Sequence, residues 1–523
     1  MSNRVTIYDT TLRDGSQTEG ISFTVNDKLK IVEKLDQLGV HYIECGWPGS
    51  NPKDREIFKL VQNKKLKTAK IAAFGSTRRA RIRPEEDTNL KELIRSKAPT
   101  VTIFGKTWDL HVTDVIKTTL DENLSMIRDS VEFLKKRKRE VFYDAEHFFD
   151  GYKSNPDYAL RTLLSAQEAK ADCIILCDTN GGTLPQDVRR IVAEVKKNIS
   201  VPLGIHTHND LDMAVANSIA AVEEGCSQVQ GTFNGLGERC GNADLGTIIG
   251  ILHTKMGRKA IPETQLKNLT DISYFLSEIS NVKLADNHPF TGHSAFAHKG
   301  GVHIDAVIKN PLAYEHIRPE TVGNHRRFIT SELAGKMPIV IKAQQMNIAM
   351  DKKSKEAKKL LKDLQLKEHS GYQFEAADAS FELFMKRSLK QYQPFFKLEG
   401  FKVSTEKRFD GRIFAEASIR LSIHGKEKFS AAEGDGPVDA LDLALRQALT
   451  EVYPGLKDMH LTDYKVRVLD TNEGTAARVR VLIESQDHHD SWTTVGVHEN
   501  IIEASWEALT DSIEYKLLKD SKK

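Results

Sequence analysis

Short apolar runs and amphipathic stretches alternate through the first half of the chain. Eight runs read as strands: VTIYD (5–9), HYIEC (41–45), KIAAF (70–74), TVTIF (100–104), EVFYD (140–144), CIILC (173–177), PLGIH (202–206) and SQVQG (227–231). They are rich in Val and Ile and do not alternate strictly with polar residues, as expected of parallel strands covered on both faces. Helical patterns lie between them. In NDKLKIVEKLDQLG, Leu29, Val32, Leu35 and Leu38 recur every three residues and Gly39 is placed to stop the helix. Eight β-α units over about 250 residues predict an α/β fold, a (β/α)8 TIM barrel. An open doubly wound sheet is the competing architecture. The count of eight, and the lack of G-x-G-x-x-G after the first run, favour the barrel.

The pattern then changes. From about 256 to 390, helical segments surround an irregular stretch rich in His and Gly, HPFTGHSAFAHKGGVH (288–303), and the lysine-rich residues 352–370 read as a solvated helix. In the last part, FAEASIRLSI and ARVRVLIES each lead to a second strand and then a helix. EGDGPVDALDLAL (433–445) can be laid over VHENIIEASWEAL (497–509), an offset of 64 (497 minus 433), with Ala440 on Ala504, Ala444 on Ala508, Leu445 on Leu509 and Asp439 on Glu503. Two strand-strand-helix units are therefore expected to repeat. Val438, Leu441, Leu445 and Leu449 share one face of the first helix, which should pack on a sheet.

Composition narrows the function classes. A chain of 523 residues, 40% hydrophobic and 28% charged, is a globular chain of two or three domains. A net charge of +2 argues against a dedicated nucleic-acid or anionic-membrane surface. No run of about 18 apolar residues predicts a membrane span, and the N-terminal MSNRVTIYDTTLRDG has no apolar core of a signal peptide. Five cysteines are an odd number for a disulfide framework and suit a reducing, cytoplasmic setting. Cys173 and Cys177 read as core thiols, a metal pair being the lesser alternative.

A barrel carries its chemistry at the C-terminal strand ends. Those ends hold Arg13 and Asp14, then Glu44, then His111, then Asp144 and Glu146, then Asp178 and Thr179, then His206 and His208, and finally Asn234, Glu238 and Asn242. Only the third strand lacks such a group, and a structural barrel needs no such ring. Residues i and i+2 at a strand end point the same way, so His206 and His208 can share one divalent cation. Asp14 supplies an anionic ligand and the Asn242 amide oxygen a fourth. Two ordinary surface or capping histidines are the plainer alternative. Arg13 is either a rim ion-pair partner or a donor to oxyanion charge. Glu146 is either a salt-bridge partner or a catalytic carboxylate. Thr179 is either a turn hydroxyl or a hold on a substrate carboxylate.

DTTLRDGSQ (9–17), HTHND (206–210), GTFNGLGERCGNADL (231–245) and AFAHKGGVH (295–303) together resemble the 2-isopropylmalate, homocitrate and citramalate synthase family. The C-terminal part resembles that family's leucine- or isoleucine-sensing domain, with GDGPVDA (434–440) as its marker. The resemblance runs almost end to end. It implies a catalytic barrel over 1–265, helical subdomains over 266–390 that complete the active site, and an amino-acid-sensing α+β domain over 391–523. It implies a Claisen condensation of acetyl-CoA with a 2-oxo acid, supported by Mn2+, Mg2+ or Zn2+. Asp14, His206, His208 and Asn242 would hold the metal, and Arg13 would polarise the keto oxygen. Thr179 would bind the 2-oxo acid carboxylate, with His111 and Asp144 also in the substrate pocket. His303 would be the base, oriented by Glu146, and Tyr314 would lie near the thioester. The family is built as a homodimer in which the post-barrel subdomain reaches the partner's barrel, so His303 would act in trans.

HKGGVHIDAV, with Lys299, is similar to the long citramalate synthases, which implies pyruvate as the 2-oxo acid and isoleucine as effector. Family members often have Ser or Tyr at position 144, where this chain has Asp. The nearest alternatives use 2-oxoisovalerate or 2-oxoglutarate. More distant ones are a lyase of the hydroxymethylglutaryl-CoA type, which would end soon after the barrel, and a non-catalytic amino-acid sensor, which would not need Arg13, Asp14, Glu146, His206, His208 and His303 together.

Overall fold

The computed structural model describes residues 3–329, 340, 343, 354–374, 377–469 and 477–521. The chain forms two compact units, Met1–Phe296 with His316–Arg326, and Ala297–Glu315 with Arg327–Lys523.

The first unit is a closed eight-stranded barrel with the strands in sequence order. Its strands are β1 (Thr6–Asp9), β2 (Tyr42–Glu44), β3 (Lys70–Ser76), β4 (Thr100–Lys106), β5 (Glu140–Glu146), β6 (Cys173–Asp178), β7 (Leu203–Thr207) and β8 (Gln228–Gly231). All pair in parallel, and β8 closes on β1 through Thr6 opposite Gln228. Each strand falls on an apolar run of the sequence. Helix Val25–Leu38 illustrates how the connections form. Thr24 and Asp27 make a reciprocal capping box, and Gly39 ends the helix at φ +92°. Ile31, Val32, Leu35 and Leu38 are buried and Leu29 packs at the edge of the same core. Truncating a fully buried leucine such as Leu35 to alanine costs about 2–5 kcal/mol.

The barrel interior differs from the layer between strands and helices. A small apolar cluster holds Tyr8, Ala72, Phe142, Cys173, Ile175 and Cys177. Burial pushes both thiols far above their ordinary range, as expected of core cysteines. Toward the C-terminal strand ends the interior turns polar, with Glu44, Asp144, His206 and Gln230 all buried.

In the second unit, β9 (Ala297–His298) and β10 (Arg327–Phe328) pair in parallel, with helix Gly301–Lys309 between them in the chain. Two antiparallel sheets follow: β11 (Lys397–Lys407), β12 (Ile413–Ile423) and β13 (Lys426–Gly434), then β14 (His460–Val468), β15 (Val479–Gln486) and β16 (Ser491–His498). Helices Pro437–Thr450 and Ile501–Asp520 close the two repeats, starting 64 residues apart (501 minus 437). Ala440, Ala444, Ala504 and Ala508 are buried at equivalent places on these helices. Each repeat has three strands, not the expected two. The additional β11 and β14 are edge strands with few buried positions, so they lack the apolar alternation that betrays a strand. The lysine-rich run forms helix Lys355–His369, with lysines outward but Ala357, Leu360 and Leu364 buried. Lys352 and Lys353 lie outside the described residues.

Candidate active site at the C-terminal rim of the barrel

The loop after β1 turns back at once, placing Arg13 and Asp14 over the barrel mouth. Arg13 Nε donates to Glu44 Oε2 at 2.6 Å, and Nη1 donates to Asp14 Oδ1. Its guanidinium lies on the Phe74 ring, 3.7 Å from the centroid. Burial alone would lower its basicity, but Asp14 and Glu44 outweigh it, and Arg13 is held firmly as a cation. Glu44, itself fully buried, also accepts from Tyr8 at 2.7 Å and Thr10 at 2.6 Å. Phe74 and Glu44 thus hold Arg13 rigidly, and the third strand does contribute to the site, through an aromatic face.

Asp14, His206 and His208 offer ligand atoms that all lie within 4.8 Å of one another, and all three residues are buried. His206 Nε2 is 3.2 Å from His208 Nε2 and 3.4 Å from Asp14 Oδ2. Neighbouring ligands about 2.1 Å from a single ion are separated by roughly 3 Å, so this spacing suits a shared divalent cation. Burial, then the Arg13 charge, pulls the His206 imidazole down to about 3; burial, then His206, does the same for His208, to about 3. Both are therefore neutral ligands at neutral pH. Asp14 Oδ2, His208 Nδ1 and Asn242 Oδ1 are buried without a hydrogen-bond partner, which costs free energy that a ligand at Asp14 and Asn242 would offset. The orphaned oxygens and the carboxylate-imidazole donor set fit a divalent metal.

Asn242 is brought beside His208 by an isolated bridge between the two backbones. The loop around it needs its glycines: a Cβ on Gly237 (φ +157°) would sit 2.1 Å from Asn242 Nδ2, and one on Gly241 (φ +88°) 1.9 Å from the Gly235 carbonyl. Arg239 latches this loop, donating in a bidentate pair to Asp210 at 2.8 and 2.9 Å and to the Thr179 carbonyl at 2.8 Å. Cys240 is exposed on the same loop, while Cys45, Cys173, Cys177 and Cys226 are buried.

The remaining expected site residues fall in two groups. In the barrel unit, the Thr179 hydroxyl accepts from the His147 amide at 2.9 Å. Glu146 pairs with Lys106, its neighbour across β4 and β5. His111 stacks on Trp108 and lies 4.3 Å, ring to ring, from His147. Burial, then His147, lowers the His111 imidazole's basicity. Asp144 is buried, and burial, then Glu44, raises its carboxyl well above the ordinary carboxylate range. In the second unit, His303 and Tyr314 stack face to face with centroids 4.2 Å apart. Sequence reasoning left out Phe74, Gln230, Lys106 and His147. Gln230 and His147 sit within or beside motifs already singled out, so the signal was adjacency to a strand end, not residue type.

Barrel and rim cluster define the class: residues 4–276 match the HMGL-like family, residues 290–369 the homocitrate synthase post-HMGL domain-like family, and residues 375–517 the LeuA allosteric (dimerisation) domain. The chain is 56% identical to the (R)-citramalate synthase of Geobacter sulfurreducens over 98% of each chain, and 53% identical to that of Aquifex aeolicus over 99% of each. It is 33% identical to the 2-isopropylmalate synthase of Methanocaldococcus jannaschii over 99% of this chain and 96% of that one. The chain belongs to the (R)-citramalate synthase family.

Proposed function

We propose that this chain is a transferase that condenses acetyl-CoA with pyruvate, giving (R)-citramalate and free CoA. The observation that carries the reading is the buried Asp14, His206 and His208 cluster in a chain that aligns end to end with relatives of that activity. Asp14, His206, His208 and Asn242 would hold a divalent metal, and Mg2+, Mn2+ and Zn2+ all suit these donors. When bound, it would act as a Lewis acid on the 2-oxo acid carbonyl.

The protein's own groups supply the rest. Arg13, with two of its nitrogens fixed by Glu44 and Asp14, directs its other N–H groups at charge growing on the keto oxygen. Thr179 accepts from His147, which leaves its O–H to donate to the 2-oxo acid carboxylate. His111 and Asp144 complete the substrate pocket. His303 removes a methyl proton from acetyl-CoA, and the stacked Tyr314 lies against the thioester. Glu146, on β5, would orient the His303 that a partner chain brings to this barrel. Carbon-carbon bond formation is followed by hydrolysis of the thioester, which releases CoA.

His303 acts on the barrel of a partner in a homodimer. This reading is supported by the segment around it, where Val302 is 77% exposed, Leu312 73% and Tyr314 46%, an apolar surface suited to burial against another chain. On this reading residues 1–265 are catalytic, 266–390 complete the site and 391–523 sense isoleucine. No helix among the described residues is long and apolar enough to cross a membrane, and unpaired cysteines suit the cytoplasm.

The test is thiol release from acetyl-CoA with pyruvate, 2-oxobutyrate, 2-oxoisovalerate or 2-oxoglutarate, each with and without EDTA. EDTA-sensitive release with pyruvate alone is the expected outcome. Preference for 2-oxoisovalerate would move the enzyme to the leucine branch, and no release with any of them would overturn the proposal.

A further inference from the structure

Behind the two histidines lies a buried chain of three side chains on β5, β7 and β8. Gln230 Oε1 is 3.1 Å from His206 Nδ1, and Gln230 Nε2 donates to Asp144 Oδ1 at 3.1 Å. All three are nearly sealed from solvent, with Gln230 0%, Asp144 4% and His206 5% exposed. An amide and a carboxyl buried in a barrel interior cost free energy unless each is hydrogen-bonded. A methionine would fill the same space without that demand.

A carboxamide has one donor end and one acceptor end. With its amide N–H on Asp144 Oδ1, an oxygen that accepts even when the carboxyl carries a proton on its other oxygen, Gln230 turns its acceptor oxygen to His206. His206 Nδ1 must then carry the proton. A neutral imidazole has a single N–H, so Nε2 is left bare. Nε2 is the nitrogen that faces His208 Nε2 at 3.2 Å and Asp14 Oδ2 at 3.4 Å. An amide turned the other way would present N–H to Nδ1, move the imidazole proton to Nε2 and close that ligand position.

We propose that Gln230, anchored by Asp144, is a positioning residue that locks His206 in the tautomer whose Nε2 can ligate a divalent cation. The inference rests on the metal site proposed above and adds to it the residue that sets ligand chemistry from behind.

The experiment measures Mn2+ affinity by chelator competition on the full chain, native and with Gln230→Leu or Gln230→Glu, alongside Tm. Outer-shell partners of metal-bound histidines are typically worth 10–100-fold in affinity. Gln230→Leu is expected to lose about that much and to lower Tm, because it leaves Asp144 and His206 Nδ1–H without a partner. Gln230→Glu, whose carboxylate accepts from Nδ1–H and from the protonated Asp144 carboxyl, is expected to bind close to the native affinity. In the metal-free native protein, the 15N resonances of His206, assigned with His206→Asn, are expected to report a protonated Nδ1 and a bare Nε2. Native affinity in Gln230→Leu, or an Nε2–H tautomer in the native protein, would overturn the proposal. Should Gln230→Leu fail to fold, the 15N measurement decides by itself. A native protein that binds no Mn2+ would remove the metal reading and this inference together, whereas native binding unchanged in Gln230→Leu would remove this inference alone.

Discussion

The guanidinium of Arg13 rests on the ring of Phe74, 3.7 Å from its centroid, while Glu44 and Asp14 grip its edges. A cation-π contact in a desolvated site is worth about 0.5–2 kcal/mol, and Arg13 is the group read as opposing oxyanion charge. Phe74→Leu is therefore expected to lower kcat with pyruvate by roughly tenfold, with KM for acetyl-CoA nearly constant. Steady-state kinetics check this; an unchanged kcat would show that the two carboxylates suffice to hold the arginine.

Metal removal should follow the histidines. EDTA treatment is expected to abolish condensation and added Mn2+ to restore it, while His206→Ala loses metal and activity together and is not rescued by excess metal. A metal-free, fully active His206→Ala protein would end the metal reading.

The same histidines make a prediction about protons. Burial pulls both imidazoles down to about 3, so at pH 7 they are already neutral and have no proton to give up when a cation arrives. Calorimetry of Mn2+ binding in buffers of different ionisation enthalpy is expected to find no proton release between pH 6 and 8. Release of a full proton per ion would mean that at least one imidazole is charged in the free protein.

Glu514, in helix Ile501–Asp520, should make stability of the C-terminal unit fall as pH rises. Burial lifts its carboxyl from 4.5 to about 7, and its oxygen accepts from the Phe395 amide at 3.3 Å. The folded state therefore holds a proton that the unfolded chain has released. Below about pH 4.5 both states are protonated and the term is fully present; it is lost between about 4.5 and 7 at up to about 1.4 kcal/mol per pH unit. Glu514→Gln is expected to match the native protein at pH 5 and to exceed it in urea or thermal melts at pH 8. Equal pH slopes for the two proteins would exclude the effect.

The marker GDGPVDA makes a turn in which a Cβ on Gly434 would lie 2.5 Å from the Ala440 amide and 2.6 Å from Asp439 Oδ2. On the proposed isoleucine-sensing reading, Gly434→Val is expected to distort it and relieve inhibition by added isoleucine while kcat with pyruvate stays close to native. This substitution is a cleaner test than deleting the chain from about 395 onward, because Val495 and Val497 cover Phe374, Phe381 and Met385 and deletion would bare them. Inhibition that persists in Gly434→Val would move the effector site elsewhere.

The barrel was legible because eight short strand-like runs, most of them rich in Val and Ile, recur between helical patterns and its rim residues cluster at and just past their ends. His206 and His208 announced themselves through period-two spacing at a strand end. Phe74 and Gln230 did not, because a single buried polar or aromatic residue inside a run carries no periodic signal; Glu44 was placed at the rim, but only pairing of distant strands sets it on Arg13 and Gln230 on His206. The pairing of Glu146 with Lys106 depends on register between β4 and β5, which no motif records. Edge strands β11 and β14 were missed for a related reason: their stabilisation is backbone pairing, to which side-chain pattern is blind.

The distribution of thiols leaves the molecule with a built-in reporter. Four cysteines are buried and Cys240 alone is exposed, two residues before Asn242. A maleimide dye added to the unaltered protein would mark a single place, on the loop that Arg239 ties down. Its emission and its rate of attachment would then follow that loop as metal and 2-oxo acid arrive, with no engineered cysteine.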